Sequence, residues 1–171
     1  VVLDSARLSV EERARLPDLA PVALDDGLVP ETDPERRDRG AEREDELADR
    51  YGVRFVVTAV GTARHGSLSR PDGLAVADVL SLTTDAGWSF PDTAAAGVDL
   101  VASSGADVLV EATTLEHGGH PAIDHLEAAF AAGMDVVTVN KGPIAWAYRR
   151  VQSAADRHGR RLRFEGVTMD G

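Results

Sequence analysis

The sequence contains no cysteine, and this absence excludes several kinds of protein at once. Disulfide frameworks, zinc sites built from thiolates and cysteine nucleophiles are all ruled out for these 171 residues. There is also no apolar run of about 18 residues, so no transmembrane helix is predicted. No N-terminal stretch combines a basic flank, an apolar core and a small-residue cleavage site. We therefore expect no secretory signal and a cytoplasmic location.

Positive charge is also scarce. The chain has 29 acidic and 18 basic residues, which gives a net charge of −11 at pH 7. A surplus of negative charge repels the phosphates of nucleic acids and of anionic membrane surfaces. We therefore expect neither nucleic acid nor membrane among the partners of this protein.

A third absence concerns nucleotide binding. The usual dinucleotide fingerprint is a strand followed by G-x-G-x-x-G, whose backbone amides bind a pyrophosphate. Residues 61–66 carry glycines at both ends but lack this spacing, and Gly118-Gly119 follows no tight strand–glycine turn. Evidence for a bound nucleotide must therefore come from other residues.

The order of predicted elements indicates the fold class. Residues 1–40 show little periodicity and are predicted to be an irregular or linker-like segment, followed by one domain over 41–171. Alternating strands and helices imply a mostly parallel sheet with right-handed crossovers. We therefore predict an α/β, Rossmann-like three-layer fold that is incomplete at its N-terminus. Strands are predicted over 53–60, 106–113, 135–139 and 161–166, helices over 74–82, 93–103, 121–132 and 144–153, and a turn at Pro71-Asp72-Gly73.

The sharpest local pattern is Asn140-Lys141-Gly142-Pro143. It follows residues 135–139, whose β-branched side chains predict a strand buried on both faces. Pro143 suits the first turn of a helix, where its missing N–H is not needed. Lys141 is the only lysine among the 18 basic residues. It lies where ligands bind in open α/β sheets, so a role in hydrogen bonding a substrate oxygen competes with a plain surface position.

Other polar residues fall at or near predicted strand ends. Thr113 and Thr114 could hydrogen-bond a cofactor ribose or phosphate, or be ordinary strand-end residues. Arg64, beside His65 in the loop after the first strand, could contact a 2′-phosphate and favour NADP, or be solvated. Glu111 lies inside a buried strand, where a carboxylate is costly unless it is paired.

The remaining candidates concern metals. Glu165, at the end of the last predicted strand, could orient a polar substrate or give an oxygen ligand to a cation, or be solvated. His117, His120 and His125 are close in sequence, but their spacing matches no common zinc pattern. We interpret them as loop and helix-surface histidines.

Taken together, several segments resemble the N-terminal half of homoserine dehydrogenase. The resemblance covers about residues 41–171, in the family's order and spacing. The segment around Asn140-Lys141-Gly142-Pro143 is very similar to the family's signature. The segments that carry the resemblance are 46–53, 71–74, 106–114, 121–122, 137–145 and 163–171.

The resemblance implies a reversible NAD- or NADP-linked reaction between L-homoserine and L-aspartate 4-semialdehyde, in the biosynthesis of threonine and methionine. Lys141 would act catalytically by hydrogen bonding the reacting oxygen or assisting its proton transfer. The small-molecule substrate and a monovalent cation would lie near Glu165, with Thr168 as a further cation ligand. The cofactor contacts would be Thr113, Thr114, Asn140, Lys141 and Arg64.

Two departures from the family leave alternatives open. Where the family has its first strand and glycine loop, this sequence has residues 27–30 and a charged run. The family's substrate domain and dimer-forming sheet follow the point where Gly171 stands, so we expect little dehydrogenase activity from these residues alone and a homodimer only for the full-length enzyme. A non-catalytic Rossmann-like remnant or interaction module, or another amino-acid oxidoreductase such as an aspartate dehydrogenase-like protein, remain alternatives.

Overall fold

The computed structural model describes residues 49–50, 56–64, 66–74, 79, 83–84, 87–88, 90, 95–164 and 167. Within these ranges, strands and helices follow one another from Val57 to Arg163. The elements are β1 Val57–Gly61, β2 Ser67–Leu74, β3 Thr83–Thr84, β4 Gly87–Trp88, α1 Gly97–Ser103, β5 Val108–Glu111, α2 Ala122–Ala131, β6 Asp135–Thr138, α3 Lys141–His158 and β7 Leu162–Arg163. No helix in the described ranges is long and apolar enough to cross a membrane.

The centre of the fold is a parallel sheet in the order β5-β6-β7. Leu109 pairs with Val136, and Val136 pairs with Leu162, so the three side chains form one row across the sheet. All three belong to the main hydrophobic core. The predicted α/β class with a parallel sheet is therefore confirmed.

Three helices cover the face of the sheet that carries this row. In α2, Ile123, Leu126 and Phe130 recur at helical spacing and are almost fully buried. The same core takes in Leu100 from α1 and Val151 from α3. Each helix therefore contributes side chains from one face to a shared core, and the predicted helix over 121–132 is confirmed as α2.

The strand after α2 is buried less completely than predicted. Val136 and Thr138 are fully buried, but Val137 between them is 37% exposed and Val139 is 43% exposed. The prediction of a strand buried on both faces is therefore wrong for residues 135–139. The β-branched residues of this segment reflect its preference for a strand conformation. Their burial alternates along the chain, because the strand is covered mainly on one face.

Where the structure describes it, from residue 56 onward, the first predicted strand is not part of the parallel sheet. β1 pairs antiparallel with β2, through a short connection in which Thr62 N donates to Gly66 O at 3.0 Å. The predicted turn at Pro71-Asp72-Gly73 lies within β2, where the register jumps between the Val57–Leu74 and Ala59–Ser69 pairs. These turn-forming residues therefore lie at a register shift within β2, the strand that pairs with β1.

Several predicted boundaries shift or cannot be compared. Leu74 belongs to β2, and of residues 75–82 only Val79 has a described, helical conformation. Helix α1 begins at Gly97, after the extended Ala96, and α3 runs from Lys141 to His158 around the predicted 144–153. Residues 1–48, and with them the predicted N-terminal segment, lie outside the described residues.

The two leucines on either side of the β5 end provide a test of the core. Leu109→Ala should lower the free energy of unfolding by about 2–5 kcal/mol, because Leu109 is 1% exposed and its removal leaves a cavity. Leu115→Ala is the matched control, because Leu115 is 57% exposed and surface changes stay within about 0.5 kcal/mol. Denaturant unfolding measures both, and equal losses would contradict the assigned core.

Candidate functional site

Two adjacent parallel strands end side by side. Glu111 at the end of β5 pairs in register with Thr138 at the end of β6. The chain segments that leave these strands therefore start next to each other. The side-chain amide of Asn140 donates to the carbonyl oxygen of Thr113 at 3.0 Å and contacts the Thr113 hydroxyl at 3.1 Å. Two residues predicted as cofactor contacts are thus brought together.

Asn140 also begins the helix that follows. Its backbone is extended, and its Oδ1 accepts a hydrogen bond from Gly142 N at 2.9 Å, so it is the N-cap of α3. Lys141 is the first residue of this helix, which is kinked at Ala147, and it is partly buried. The helix N-terminus carries a partial positive charge, to which the ammonium of Lys141 adds. Pro143 lies in the first turn, as predicted.

The buried carboxylate of Glu111 is the centre of this site. Glu111 is fully buried, and its Oε1 accepts hydrogen bonds from the Thr113 hydroxyl and from Thr113 N at 3.0 Å. Its Oε2 accepts from the Thr138 hydroxyl at 3.1 Å. The sequence indicated that this carboxylate needs a partner. Two donors from Thr113, in the loop after β5, and one from Thr138, at the end of β6, meet this need.

The hydrogen bonds decide the protonation state of this carboxylate. Burial by itself raises the pKa of Glu111, while His125 and the donors of Thr113 and Thr138 lower it, and the lowering prevails. The Nδ1 atom of His125 lies 4.0 Å from Oε1, beyond hydrogen-bond range. The lowered pKa is therefore due to the nearby ring of His125 together with the direct hydrogen bonds of Thr113 and Thr138, and Glu111 is ionised at neutral pH.

The three histidines do not share one environment. His120 contacts Asp124 at 2.8 Å, and the ring of His117 packs on Trp146 with centroids 4.7 Å apart, both at exposed positions. His125 is only 3% exposed, so its assignment to the helix surface is wrong. It lies on the face of α2 that carries Ala122 and Leu126, where the helix packs against its neighbours. In the described part of the chain, no three His, Asp or Glu side chains are grouped to hold a metal ion.

A pair of glycines brings a loop onto the start of α3. A Cβ atom on Gly142 would lie 3.0 Å from the Cα of Gly119 and 3.1 Å from Asn140 Oδ1. A Cβ on Gly119, where φ is +80°, would lie 3.0 Å from the Gly142 carbonyl. The loop after β5 therefore packs by its backbone on the first turn of the helix. Sequence reasoning missed this contact, although paired glycines before a helix are a sign of close backbone approach.

The other predicted site residues are placed elsewhere or not described. Thr114 is exposed in the loop after β5, and Arg64 is exposed on a different element, the connection between β1 and β2. Glu165, Thr168 and His65 lie outside the described residues. Thr138 was not predicted to be a site residue. A signal was present, because it is a polar residue at the end of a predicted strand, on the face that carries Glu111.

A parallel sheet joined through helices, with polar groups at the carboxyl ends of its strands, defines a Rossmann-like α/β domain. The family model described as "Homoserine dehydrogenase, NAD binding domain" matches residues 45–165. This chain therefore belongs to the homoserine dehydrogenase NAD-binding domain family.

Individual relatives agree with this assignment. Homoserine dehydrogenase of Methanocaldococcus jannaschii is 30% identical over 129 residues, which cover 72% of this chain and 38% of the relative. The NAD(+)-dependent homoserine dehydrogenase of Pseudomonas canavaninivorans is 29% identical over 137 residues, which cover 77% of this chain and 39% of the relative. The crystal structure of homoserine dehydrogenase from Thermoplasma acidophilum aligns with a TM-score of 0.62 at 23% identity, over 73% of this chain and 38% of that one, and shows the shared fold. The chain spans less than two fifths of these proteins.

The buried carboxylate predicts a pH-dependent stability. Because the pKa of Glu111 is lowered on folding, its stabilisation is present above its unfolded pKa of about 4.3 and is lost as the pH falls through the folded value. Glu111→Gln should therefore lower stability by about 1–3 kcal/mol at pH 7, and by less near pH 3. Unfolding at both pH values measures the difference, with the exposed Glu116→Gln as control. A difference that widens in acid would contradict this assignment.

The contact between Gly119 and Gly142 predicts that a glycine-to-alanine substitution in α3 will destabilise the protein. Replacing a helical glycine by alanine normally stabilises a helix by about 1 kcal/mol. Gly142→Ala should instead lower the free energy of unfolding by about 1–3 kcal/mol, because the new methyl group would meet the backbone of Gly119. Ser153→Ala, at an exposed position of the same helix, should be neutral or slightly stabilising. Thermal unfolding of the three proteins tests this, and a stabilised Gly142→Ala variant would refute the contact.

Proposed function

We propose that this chain is the cofactor-binding part of an NAD(P)-dependent homoserine dehydrogenase, which interconverts L-homoserine and L-aspartate 4-semialdehyde. The observation that carries the proposal is the pairing of Thr113 and Asn140 at the ends of two parallel strands, beside Lys141 at the start of α3. In open α/β sheets, ligands bind at this edge. Family membership supports the choice of cofactor and reaction. The domain proposed to hold the cofactor spans residues 41–171.

The hydrogen-bonding groups at this edge suit a dinucleotide. The nicotinamide, when bound, supplies the hydride chemistry. Thr113 gives its single hydroxyl hydrogen to Glu111 and accepts from Asn140, so one lone pair remains on its oxygen. That lone pair can accept a hydrogen bond from a ribose hydroxyl or a carboxamide. It cannot serve a phosphate oxygen, which is itself an acceptor.

Lys141 is proposed to hydrogen-bond the reacting oxygen of the substrate. Its position at the first residue of α3 adds the charge of an ammonium to the partial positive charge of a helix N-terminus, where charge developing on that oxygen would be stabilised. An arginine would be a poor replacement, because its planar guanidinium stays protonated and has a different reach. Glu165 and Thr168 remain the proposed residues for substrate and a monovalent cation.

A second candidate is a Rossmann-like module that binds no nucleotide. The observation that favours it is the sequence around the first clear strand, which has no G-x-G-x-x-G to bind a pyrophosphate. The two candidates differ in one measurable property, the affinity for the cofactor.

Titration of the purified chain with NADPH and with NADH, followed by nicotinamide fluorescence, distinguishes them. We expect saturable binding with a Kd between about 1 μM and 1 mM, the range in which enzymes commonly bind their substrates. Thr113→Val should weaken this binding about tenfold, because the acceptor on its hydroxyl is lost. Ser153→Ala, on the exposed side of α3, should leave it unchanged. A folded chain that shows no saturation with either cofactor at millimolar concentration would be the module without nucleotide binding.

A further inference from the structure

We infer that Glu111 is a positioning residue for the cofactor site: without touching a ligand, its carboxylate fixes Thr113 directly and Asn140 through Thr138. The functional meaning of this inference rests on the proposed cofactor site. Its structural part stands on the hydrogen bonds and burial of these four residues alone.

The first route runs through Oε1. This oxygen accepts from both the backbone N–H and the hydroxyl of Thr113. The two bonds fix the backbone where it leaves β5, and they also fix the rotation of the hydroxyl. The remaining lone pair of the Thr113 oxygen is therefore held in one direction before any ligand arrives.

The second route runs through Oε2 and Thr138. The Thr138 hydroxyl donates to Oε2 at 3.1 Å, and its oxygen accepts from Asn140 N at 3.0 Å. A hydroxyl has a single hydrogen, so giving it to the carboxylate leaves a lone pair for the backbone of Asn140. The charge of Glu111 thereby sets the direction of the bond that fixes the N-cap of α3.

The two routes close into a ring. The Asn140 side chain returns to Thr113, so the bonds run from Glu111 through Thr113, Asn140 and Thr138 back to Glu111. Glu111 and Thr138 are fully buried, and Asn140 is 5% exposed. Buried networks in which every member is satisfied are stiff, because opening one bond leaves an unpaired polar group away from water. The ring therefore holds both loops in the arrangement that a ligand would otherwise have to impose.

The chemistry of the ring requires a carboxylate at position 111. Both oxygens face donors only: two from Thr113 and one from Thr138. A glutamine has one oxygen and one NH2 group. With the NH2 toward Thr113, it would face the backbone N–H, which can only donate, and the ring would open there. With the NH2 toward Thr138, the bond would reverse, and the buried hydroxyl hydrogen of Thr138 would lose its acceptor.

The test replaces the relay hydroxyl in the full 171-residue chain. Thr138→Val removes the donor to Glu111 and the acceptor for Asn140, while Thr138→Ser restores both. Amide hydrogen exchange of Asn140 and Gly142, measured by NMR, reports on the N-cap, and NADPH titration reports on the cofactor site. We expect Thr138→Val to speed exchange at both amides at least tenfold and to weaken NADPH binding about tenfold, with Thr138→Ser close to the wild type.

Thr58→Val is the matched control for lost stability. Thr58 is also a fully buried threonine whose hydroxyl bonds a carbonyl, that of Ser104, but it lies on β1 outside the ring. At equal global stability, it should leave Gly142 exchange and NADPH affinity unchanged. If Thr138→Val does not fold, Glu111→Gln is measured in the same way.

The outcomes separate the two proposals. Gly142 exchange in Thr138→Val that is no faster than in Thr58→Val would overturn the positioning role. Faster exchange with unchanged NADPH affinity would overturn its link to the cofactor site. A wild type that binds no dinucleotide would refute the proposed function, and faster Gly142 exchange in Thr138→Val would then still support the positioning of the N-cap by Glu111.

Discussion

The arrangement of this domain's polar edge depends on one buried charge. Glu111 has no exposed surface, and an ionised carboxylate is stable there only if several donors surround it. Those donors are Thr113, in the loop after β5, and Thr138, at the end of β6; they are far apart in the chain but lie at the ends of neighbouring strands. The hydrogen bonds that stabilise the buried charge are therefore also the bonds that hold the ends of the two strands in place. This is why a feature that is costly in isolation occurs at the site's centre.

The register of the parallel sheet makes that event possible. A slip of one residue between β5 and β6 would put Glu111 and Thr138 on opposite faces of the sheet. The register is set by the apolar row of Leu109, Val136 and Leu162, which packs under the three helices. Glu111 and Thr138 form the next inward row, one step closer to the carboxyl ends of the strands. The hydrophobic core thus positions the polar site, because both lie on one face of the same strands.

Sequence patterns correctly predicted the features that depend only on neighbouring residues in the chain. Pro143 in the first turn of α3 and a helix over 121–132 follow from backbone geometry and helical period, and both were predicted. The antiparallel pairing of β1 was not, because strand pairing depends on a partner that no local pattern names. The burial of His125 was missed for a related reason: its helix position was clear, but the neighbouring elements decide which face is covered. For the candidate site, the sequence identified Thr113 and Asn140. It also indicated that Glu111 needs a partner, but not that Glu111 connects them.

The ring also divides the chemistry of the site between its members. Asn140 uses its Oδ1 for the helix cap and its amide for Thr113, and Thr113 gives its hydrogen to Glu111. At the Thr113 hydroxyl, what this leaves for a ligand is a single acceptor. The start of α3 differs in character, because a helix N-terminus carries a partial positive charge and Lys141 adds its ammonium there. The two neighbouring strands are thus followed by groups of different character: a hydroxyl acceptor after β5 and positive charge after β6.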